Sequence, residues 1–292
     1  MRYTTAGAPF LGPVTPTVPS ITAKKPTWRI SLDHAFTPDV LAYASYNRGF
    51  KSGGYSIGSL NVPPYLPERI DAYEVGLKSM LLDRKLRFNA AAFLYNYKNV
   101  QVNGNVATGI VVTNGAAARD KGFEFDFEAR PIPQLALNGG YTFLDTEYTK
   151  FPNASINNPF PLGGYRATSG SAKGNDLPFA PHHVFTIGAT WTVPLGANEL
   201  ALSANYYHSS GYFGEADNKE SQGAYGLLNA NAKVSLDQGR FDISVWGRNL
   251  TKAVVNIYPS YVNLTSTSPG FSAQRGYYAD PRTYGVTLAT RF

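Results

Sequence analysis

The chain has 292 residues and no cysteine, which excludes disulfides and thiol chemistry. Charged residues make up only 16% while aromatics reach 14%, with 20 Tyr; soluble domains carry roughly 25% charge, so an ordinary water-facing surface is a poor match. The net charge of +6 comes from basic residues scattered singly rather than in a stripe, which argues against nucleic acid as a partner.

No stretch approaches the roughly 18 consecutive apolar residues of a membrane helix. The mean hydropathy of −0.23 remains compatible with a membrane barrel, whose wet interior and loops dilute its apolar face. Residues 1–26 hold Pro9, Pro13, Pro16, Pro19 and Pro26 and read as loop, because proline removes ladder donors. The first strand runs from Thr27 to Asp33, with Trp28, Ile30 and Leu32 alternating against Arg29, Ser31 and Asp33. A turn at Phe36 to Asp39 leads to a second strand, Val40 to Phe50. The segment Lys51 to Pro67 reads as loop, and a third strand spans Glu68 to Met80. After a turn at Leu82 to Lys85, the fourth strand, Leu86 to about Val100, alternates less cleanly: Phe93, Tyr95 and Tyr97 fall on its polar side.

Residues 101–118 read mainly as a connection, part of which can extend the next strand. The following strand, to Arg130, sets Phe123, Phe125 and Phe127 against Glu124, Asp126, Glu128 and Arg130. An aromatic row opposite a charged row suits lipid on one side and water on the other. A turn at 131–134 precedes the sixth strand, marked by Leu135, Leu137, Gly139, Tyr141 and Phe143. The polar stretch 150–181 reads as loop. Strand seven carries His183 to Val193, and strand eight follows a turn at 194–198 with Leu200, Leu202, Ala204 and Tyr206. A loop at 211–223 leads to strand nine, Leu228 to Leu236, a turn at 237–240 and strand ten, Phe241 to Arg248. A long polar stretch, 251–281, reaches the terminal strand, where Tyr284, Val286, Leu288, Thr290 and Phe292 share one face.

Short turns thus alternate with long connections along about eleven strands. This asymmetry is that of outer-membrane barrels, with short periplasmic turns and long extracellular loops. The expected fold is all-β: an antiparallel transmembrane β-barrel. An odd strand number, two unpaired edges and an N-terminus without the apolar core of a signal peptide lead us to expect the C-terminal part of a larger barrel. Residues 1–26 are then an extracellular loop and 27–292 the barrel part.

Several stretches read as motifs: Tyr46-Asn47-Arg48-Gly49-Phe50-Lys51-Ser52-Gly53-Gly54, Pro67-Glu68-Arg69 leading to Tyr73-Glu74-Val75-Gly76-Leu77-Lys78, and Asn89 to Gln101. Lys121-Gly122-Phe123-Glu124, Gly247-Arg248-Asn249-Leu250-Thr251 and Pro281-Arg282-Thr283-Tyr284-Gly285 complete the set. In this order and spacing they resemble the TonB-dependent outer-membrane receptors. The resemblance implies the last eleven strands of a 22-stranded barrel and energy-coupled uptake of a scarce nutrient such as an iron–siderophore complex. It also implies contact with the inner-membrane TonB complex, through a plug and a short box that have no counterpart in these residues. The terminal strand, Tyr284, Val286, Leu288 and Phe292, resembles the closing strand read by the barrel assembly machinery. The alternatives are a passive porin-like channel, an outer-membrane enzyme or, less in keeping with the turns, a soluble β-sandwich adhesin.

The charged side chains Glu74, Lys78, Glu124, Asp126, Glu128, Arg248 and Arg291 belong to the polar face and are candidates for a hydrated lumen wall. Among loop aromatics, Tyr165, Tyr258, Tyr261, Tyr277 and Tyr278 are candidate contacts for an extracellular ligand, since an aromatic ring can stack on one. The histidines lack ligand spacing, so no metal centre, cofactor or catalytic residue is expected. The remaining partner is outer-membrane lipid, against the apolar faces.

Overall fold

The computed structural model describes residues 21–56, 63–106, 109–161, 163–263 and 271–291. Among these there is no helix. The strands are β1 (Trp28–Thr37), β2 (Val40–Lys51), β3 (Glu68–Leu81), β4 (Leu86–Val106), β5 (Gly109–Ile132), β6 (Leu135–Lys150), β7 (Ala154–Pro159), β8 (Tyr165–Gly170) and β9 (His183–Leu195). They continue with β10 (Asn198–Ser209), β11 (Tyr212–Phe213), β12 (Ser221–Gln222), β13 (Tyr225–Leu236), β14 (Phe241–Arg248), β15 (Ser260–Asn263), β16 (Phe271–Arg275) and β17 (Thr283–Thr290).

Eleven of these form one antiparallel meander, in the order β1-β2-β3-β4-β5-β6-β9-β10-β13-β14-β17. They correspond one for one to the eleven strands expected from alternation. Register carries each face across the whole sheet: Val75 pairs Ala44 and Ala92, Ala92 pairs Phe123, and Phe123 pairs Phe143. On the far side Val245 pairs Ala232 and Val286. The result is a continuous apolar face whose side chains have little to cover them: Leu32 is 76% exposed and Leu288 74%. Water would not tolerate so large an apolar patch, whereas lipid is matched to it. Phe292 lies outside the described residues.

The opposite face is polar and includes glycines that seat aromatic rings. Tyr43 lies across its cross-strand partner Gly76, where any Cβ would come within 2.5 Å of the ring. Trp246 lies likewise over Gly285 and donates from its indole nitrogen to Thr287 Oγ1 at 3.1 Å. A ring laid over a cross-strand glycine fills the gap left by the missing side chain.

The short turns at 82–85 and 237–240 carry left-handed residues, with Leu82, Asp83 and Arg84 at φ 53–64° and Asp237 and Gln238 at 51° and 54°. Such conformations permit tight reversal between twisted strands.

The opposite end of the sheet differs from the sequence expectation. Residues 101–118 are not a connection: β4 and β5 continue as a paired hairpin to Val106 and Gly109, with bulge-like register shifts around Val100. Asn103-Gly104-Asn105 lacks an apolar alternation because this part of the hairpin projects past the main sheet. The expected loops at 150–181 and 251–281 also contain strands, since β15-β16-β8-β7 form a four-stranded sheet, and β11 pairs β12 within 211–223. The main buried cluster lies here rather than in the main sheet. Ala116, Ala118, Tyr148, Phe151, Ala154 and Ala172 are at most 5% exposed and are packed by Val102, Ile156, Leu177 and Ala216. A sheet with lipid on one face and water on the other has no interior of its own, so close packing appears only where loops cover it.

Candidate functional site

Two neighbourhoods hold the candidate residues. The first is the polar face. Register places Glu74, Gly76 and Lys78 on one side of β3 and joins them through Phe93 and Ala91 to Gly122 and Glu124 on β5. Glu74 accepts hydrogen bonds from the Tyr43 hydroxyl at 2.7 Å and the Tyr95 hydroxyl at 3.3 Å. This accounts for the aromatics that blurred the fourth strand in sequence: Tyr95 binds a carboxylate, Phe93 stacks on it at 5.0 Å, and Tyr97 packs on the buried cluster.

The Lys78 ammonium sits 5.7 Å from the centre of the Tyr43 ring. Arg87, not singled out in sequence, reaches Glu128 at 2.6 Å and Asp126 at 3.8 Å. Arg291 lies 3.7 Å from Asp242. Glu124 has no ion-pair partner among the described residues. Arg248 stacks its guanidinium 5.2 Å from the Trp246 ring, and both border a groove of about 560 Å³. Its other walls are Asn138, Asn205, Asn229, Asn231 and Ser203, so neutral amides dominate. Such a surface offers donors and acceptors at every point and only one charge.

The second neighbourhood is a cap built from the three connections 151–182, 210–224 and 249–282. Their interlocking rests on polar side chains. Asp217 Oδ2 accepts from the backbone N–H of Asn157 at 2.9 Å and from its side-chain amide at 3.1 Å. Lys219 donates to the carbonyl of Asn157 at 2.7 Å, and Ser272 donates to Asn157 Oδ1 at 3.2 Å. Asn218 takes the backbone N–H of Asp176 at 2.7 Å and returns a bond to its carbonyl at 3.0 Å. One buried asparagine, Asn157, thereby ties all three connections together. The buried cluster shows which way the cap folds, because Ala118 and Tyr148 pair with each other on the Glu124 face. The cap covers the end of the polar face.

The cap also gathers the candidate tyrosines. Tyr165 and Tyr261 meet edge to face at 4.8 Å. Tyr258 and Tyr277 lie 6.2 Å apart, and Arg275 presents its guanidinium to both, at 5.4 and 5.6 Å. Phe179 stacks on Tyr258 at 5.4 Å. Tyr278 belongs to neither ring pair; it is 67% exposed, and its backbone bridges Asn256. Sequence alternation could not have found Arg275, Glu215, Asp217 or Asn157, since none lies on a strand of the main sheet.

Of the histidines, His182 bonds the Leu144 carbonyl at 2.9 Å and Asp176 at 3.1 Å. His183 meets the Tyr141 hydroxyl at 2.8 Å on the apolar face, while His34 meets Phe36 edge to face and His208 stacks on Phe185.

Glu215 gives the cap a dependence on pH. Burial raises its pKa above the usual 4.5, and Asp217 nearby adds to this; the backbone N–H of Tyr261 and the Arg275 charge pull the other way. The folded cap therefore holds this proton over a range where the unfolded chain has released it, and stability falls as pH rises through that range. Protection of 154–170 and 260–263 in hydrogen exchange, corrected for intrinsic rate, is expected to decline as pH rises above the ordinary carboxylate range. Glu215→Gln is expected to flatten that decline.

The comparisons with known proteins agree with this architecture. The family model described as "TonB dependent receptor-like, beta-barrel" matches residues 2–250. The metal-pseudopaline receptor CntO of Pseudomonas aeruginosa is 34% identical over 132 residues, 45% of this chain and 18% of the relative. The ferrichrome outer membrane transporter/phage receptor of Escherichia coli is 24% identical over 260 residues, 88% of this chain and 31% of the relative. Among solved structures, the ferric yersiniabactin uptake receptor FyuA from Yersinia pestis superposes with a TM-score of 0.71 at 19% identity. That match covers 89% of this chain and 36% of FyuA. The chain thus spans about a third or less of the length of these relatives. Its apolar face is the lipid-facing side of an outer-membrane barrel, and the chain belongs to the TonB-dependent receptor β-barrel family.

Proposed function

We propose that this chain is the C-terminal barrel part of a receptor that imports an iron–siderophore complex across the outer membrane of a Gram-negative cell. Energy would come from the inner-membrane TonB complex through an N-terminal part outside this sequence. Support comes from what the relatives are named for: a metal-pseudopaline complex, ferrichrome and ferric yersiniabactin. The observation that carries the reading is the cap, which folds three long connections over the end of a polar-walled sheet and fixes them there with Asn157. An open pore has no use for such a cover, whereas a receptor for large, dilute ligands needs a preformed mouth.

In this reading residues 1–26 lie outside the cell, consistent with β1 beginning at the long-connection end of the sheet. Glu74, Lys78, Glu124, Asp126, Glu128 and Arg248 line the lumen. Tyr258 and Tyr277, held against Arg275, are the candidate ligand contacts that the geometry favours over Tyr165, Tyr261 and Tyr278. A planar guanidinium beside two rings offers a charge next to aromatic faces, suited to an anionic or aromatic ligand. The barrel assembly machinery would read the terminal strand, Tyr284 to Phe292.

The test is growth of a strain lacking the full-length gene, under iron restriction, on a panel of ferric siderophores. Loss of growth on one of them, restored by the gene, is expected. Wild-type growth across the panel, with loss instead on a non-metal nutrient, would move the substrate to another class.

A further inference from the structure

Above the aromatic belt of the apolar face, the strands end in cations. Tyr46 and Tyr73 face each other across β2 and β3, stacked at 4.8 Å. Two residues further toward the cap, Arg48 pairs with Asp71, and beyond that Phe50, Arg69 and Lys98 lie in one row on the same face. At about 3.3 Å per residue, Arg48 stands roughly 7 Å and the Arg69–Lys98 row roughly 13 Å along the strands from the tyrosine pair. That is the depth of headgroups rather than of acyl chains, since a bilayer adds several ångströms of polar region to each side of its core.

Lys25, Arg48, Arg69 and Lys98 also border a cavity of about 360 Å³, together with Phe50 and Glu68. The carboxylates nearby are already engaged. Glu68 accepts the backbone N–H of Gln101 at 2.8 Å, and Asp71 accepts from Arg48 at 2.5 Å, Arg69 at 3.3 Å and Tyr46 at 2.9 Å. Arg48 is further pinned by the Trp28 ring, 4.4 Å beneath its guanidinium. Lys25 and Lys98 are exposed and have no ion-pair partner among the described residues, and the buried Arg69 Nε has no hydrogen-bond partner there. Further along the same edge the pattern changes: Arg119 is matched by Glu147, and Lys121 by Asp145 at 3.0 Å. The excess positive charge is therefore local to the cavity, and its free donors match a multiply charged anion.

We propose that this cavity binds the phosphate groups of an outer-leaflet lipid, seated beside β2, β3 and β4 with its acyl chains along the apolar face. The inference rests on the placement of the sheet in the outer membrane and not on the import of any ligand. Arg48 and Arg69 form the fixed floor, because Asp71 and Trp28 hold them; Lys25 and Lys98 close on the phosphates. A soluble anion would use only the cations, whereas a lipid also uses the apolar surface below.

The experiment is native mass spectrometry of the detergent-solubilised full-length receptor with three probes: a bis-phosphorylated acylated disaccharide, its dephosphorylated form, and inorganic phosphate. The phosphorylated lipid is expected to bind, the dephosphorylated one far more weakly, and inorganic phosphate not measurably. The double substitution Lys25→Ala, Lys98→Ala is expected to weaken the phosphorylated lipid about thirtyfold, since each cation near an anionic lipid surface contributes roughly a factor of five. Lys25→Arg, Lys98→Arg is expected to keep binding, and an unchanged far-ultraviolet β signal establishes that each variant is folded. Equal binding of the two lipids, or an unaffected double-alanine variant, would overturn the proposal. Inorganic phosphate binding as tightly as the lipid would overturn the lipid as occupant.

Discussion

Arginine in place of Val245 is expected to cost the inserted chain about 2–4 kcal/mol, the penalty for a cation on the lipid face near the middle of a barrel strand. The same replacement one residue away, Ser244→Arg, is expected to change stability by less than about 0.5 kcal/mol, as for a hydrated surface. The contrast follows from register. Val245 is 56% exposed on the apolar face between Ala232 and Val286, whereas Ser244 shares the polar face with Trp246. No contact within the protein separates the two positions as sharply as their surroundings do. Urea unfolding of the full-length receptor folded into phospholipid vesicles measures both. Equal costs at the two sites would mean that the exposed apolar face does not meet lipid.

Gly214→Ala is expected to unlock the cap while leaving the main sheet intact. A Cβ at position 214 would run into the carbonyl oxygen of Pro259, which belongs to a different connection, and the Gly214 N–H is committed to Glu220 at 2.8 Å. Neither backbone can yield without parting the 210–224 and 249–282 segments. Forcing atoms into a filled site costs about 1–3 kcal/mol or more, enough to open a small satellite cluster. Hydrogen exchange is expected to rise by about tenfold or more in 154–170 and 258–263, while 135–148 and 225–236 keep their protection. Uniformly faster exchange would mean that cap and sheet form one cooperative unit. Unchanged exchange would mean that the Gly214–Pro259 approach is not what holds the cap.

The main sheet was legible in sequence because lipid and water read alternate residues of every strand. Phe123, Phe125 and Phe127 against Glu124, Asp126 and Glu128 needed no knowledge of partners, and the other strands repeated the code, the fourth least cleanly because Phe93, Tyr95 and Tyr97 fall on its polar side. The short turns were visible for a related reason, as breaks between alternating runs, although the left-handed run at Leu82 to Arg84 contains no glycine to announce it. The cap was not legible. Its strands are held by Asp217, Asn157 and Ser272, which lie far apart in the chain and look like loop residues, and its core is built largely of alanines. The β4–β5 extension was legible only in part, because Val102 packs on the buried cluster and Val111 is itself buried, where the alternation set by lipid and water does not apply.

The motifs that carried the family resemblance divide in the same way. Within Gly247-Arg248-Asn249-Leu250-Thr251, the role of Asn249 becomes clear only in three dimensions. It takes a left-handed conformation at φ 48°, bonds the N–H and carbonyl of Ala253 at 2.9 and 2.8 Å, and turns the chain out of β14 into the cap. Asn is among the few non-glycine residues that adopt this backbone readily. Tyr46 and Arg48, quoted for resemblance alone, supply the stacked tyrosine below and the first cation of the proposed lipid cavity. Of the five candidate tyrosines, sequence offered no ranking, and it was Arg275 that drew Tyr258 and Tyr277 into one cluster.

The most direct test of the central claim is a spin-label scan along β14 of the full-length receptor in phospholipid vesicles, comparing relaxation by oxygen with relaxation by a water-soluble nickel chelate. Labels at Phe241, Ile243 and Val245 are expected to respond to oxygen, and labels at Asp242, Ser244 and Trp246 to nickel, with strict alternation. Accessibility to nickel at all six positions would contradict a strand that separates lipid from a hydrated lumen.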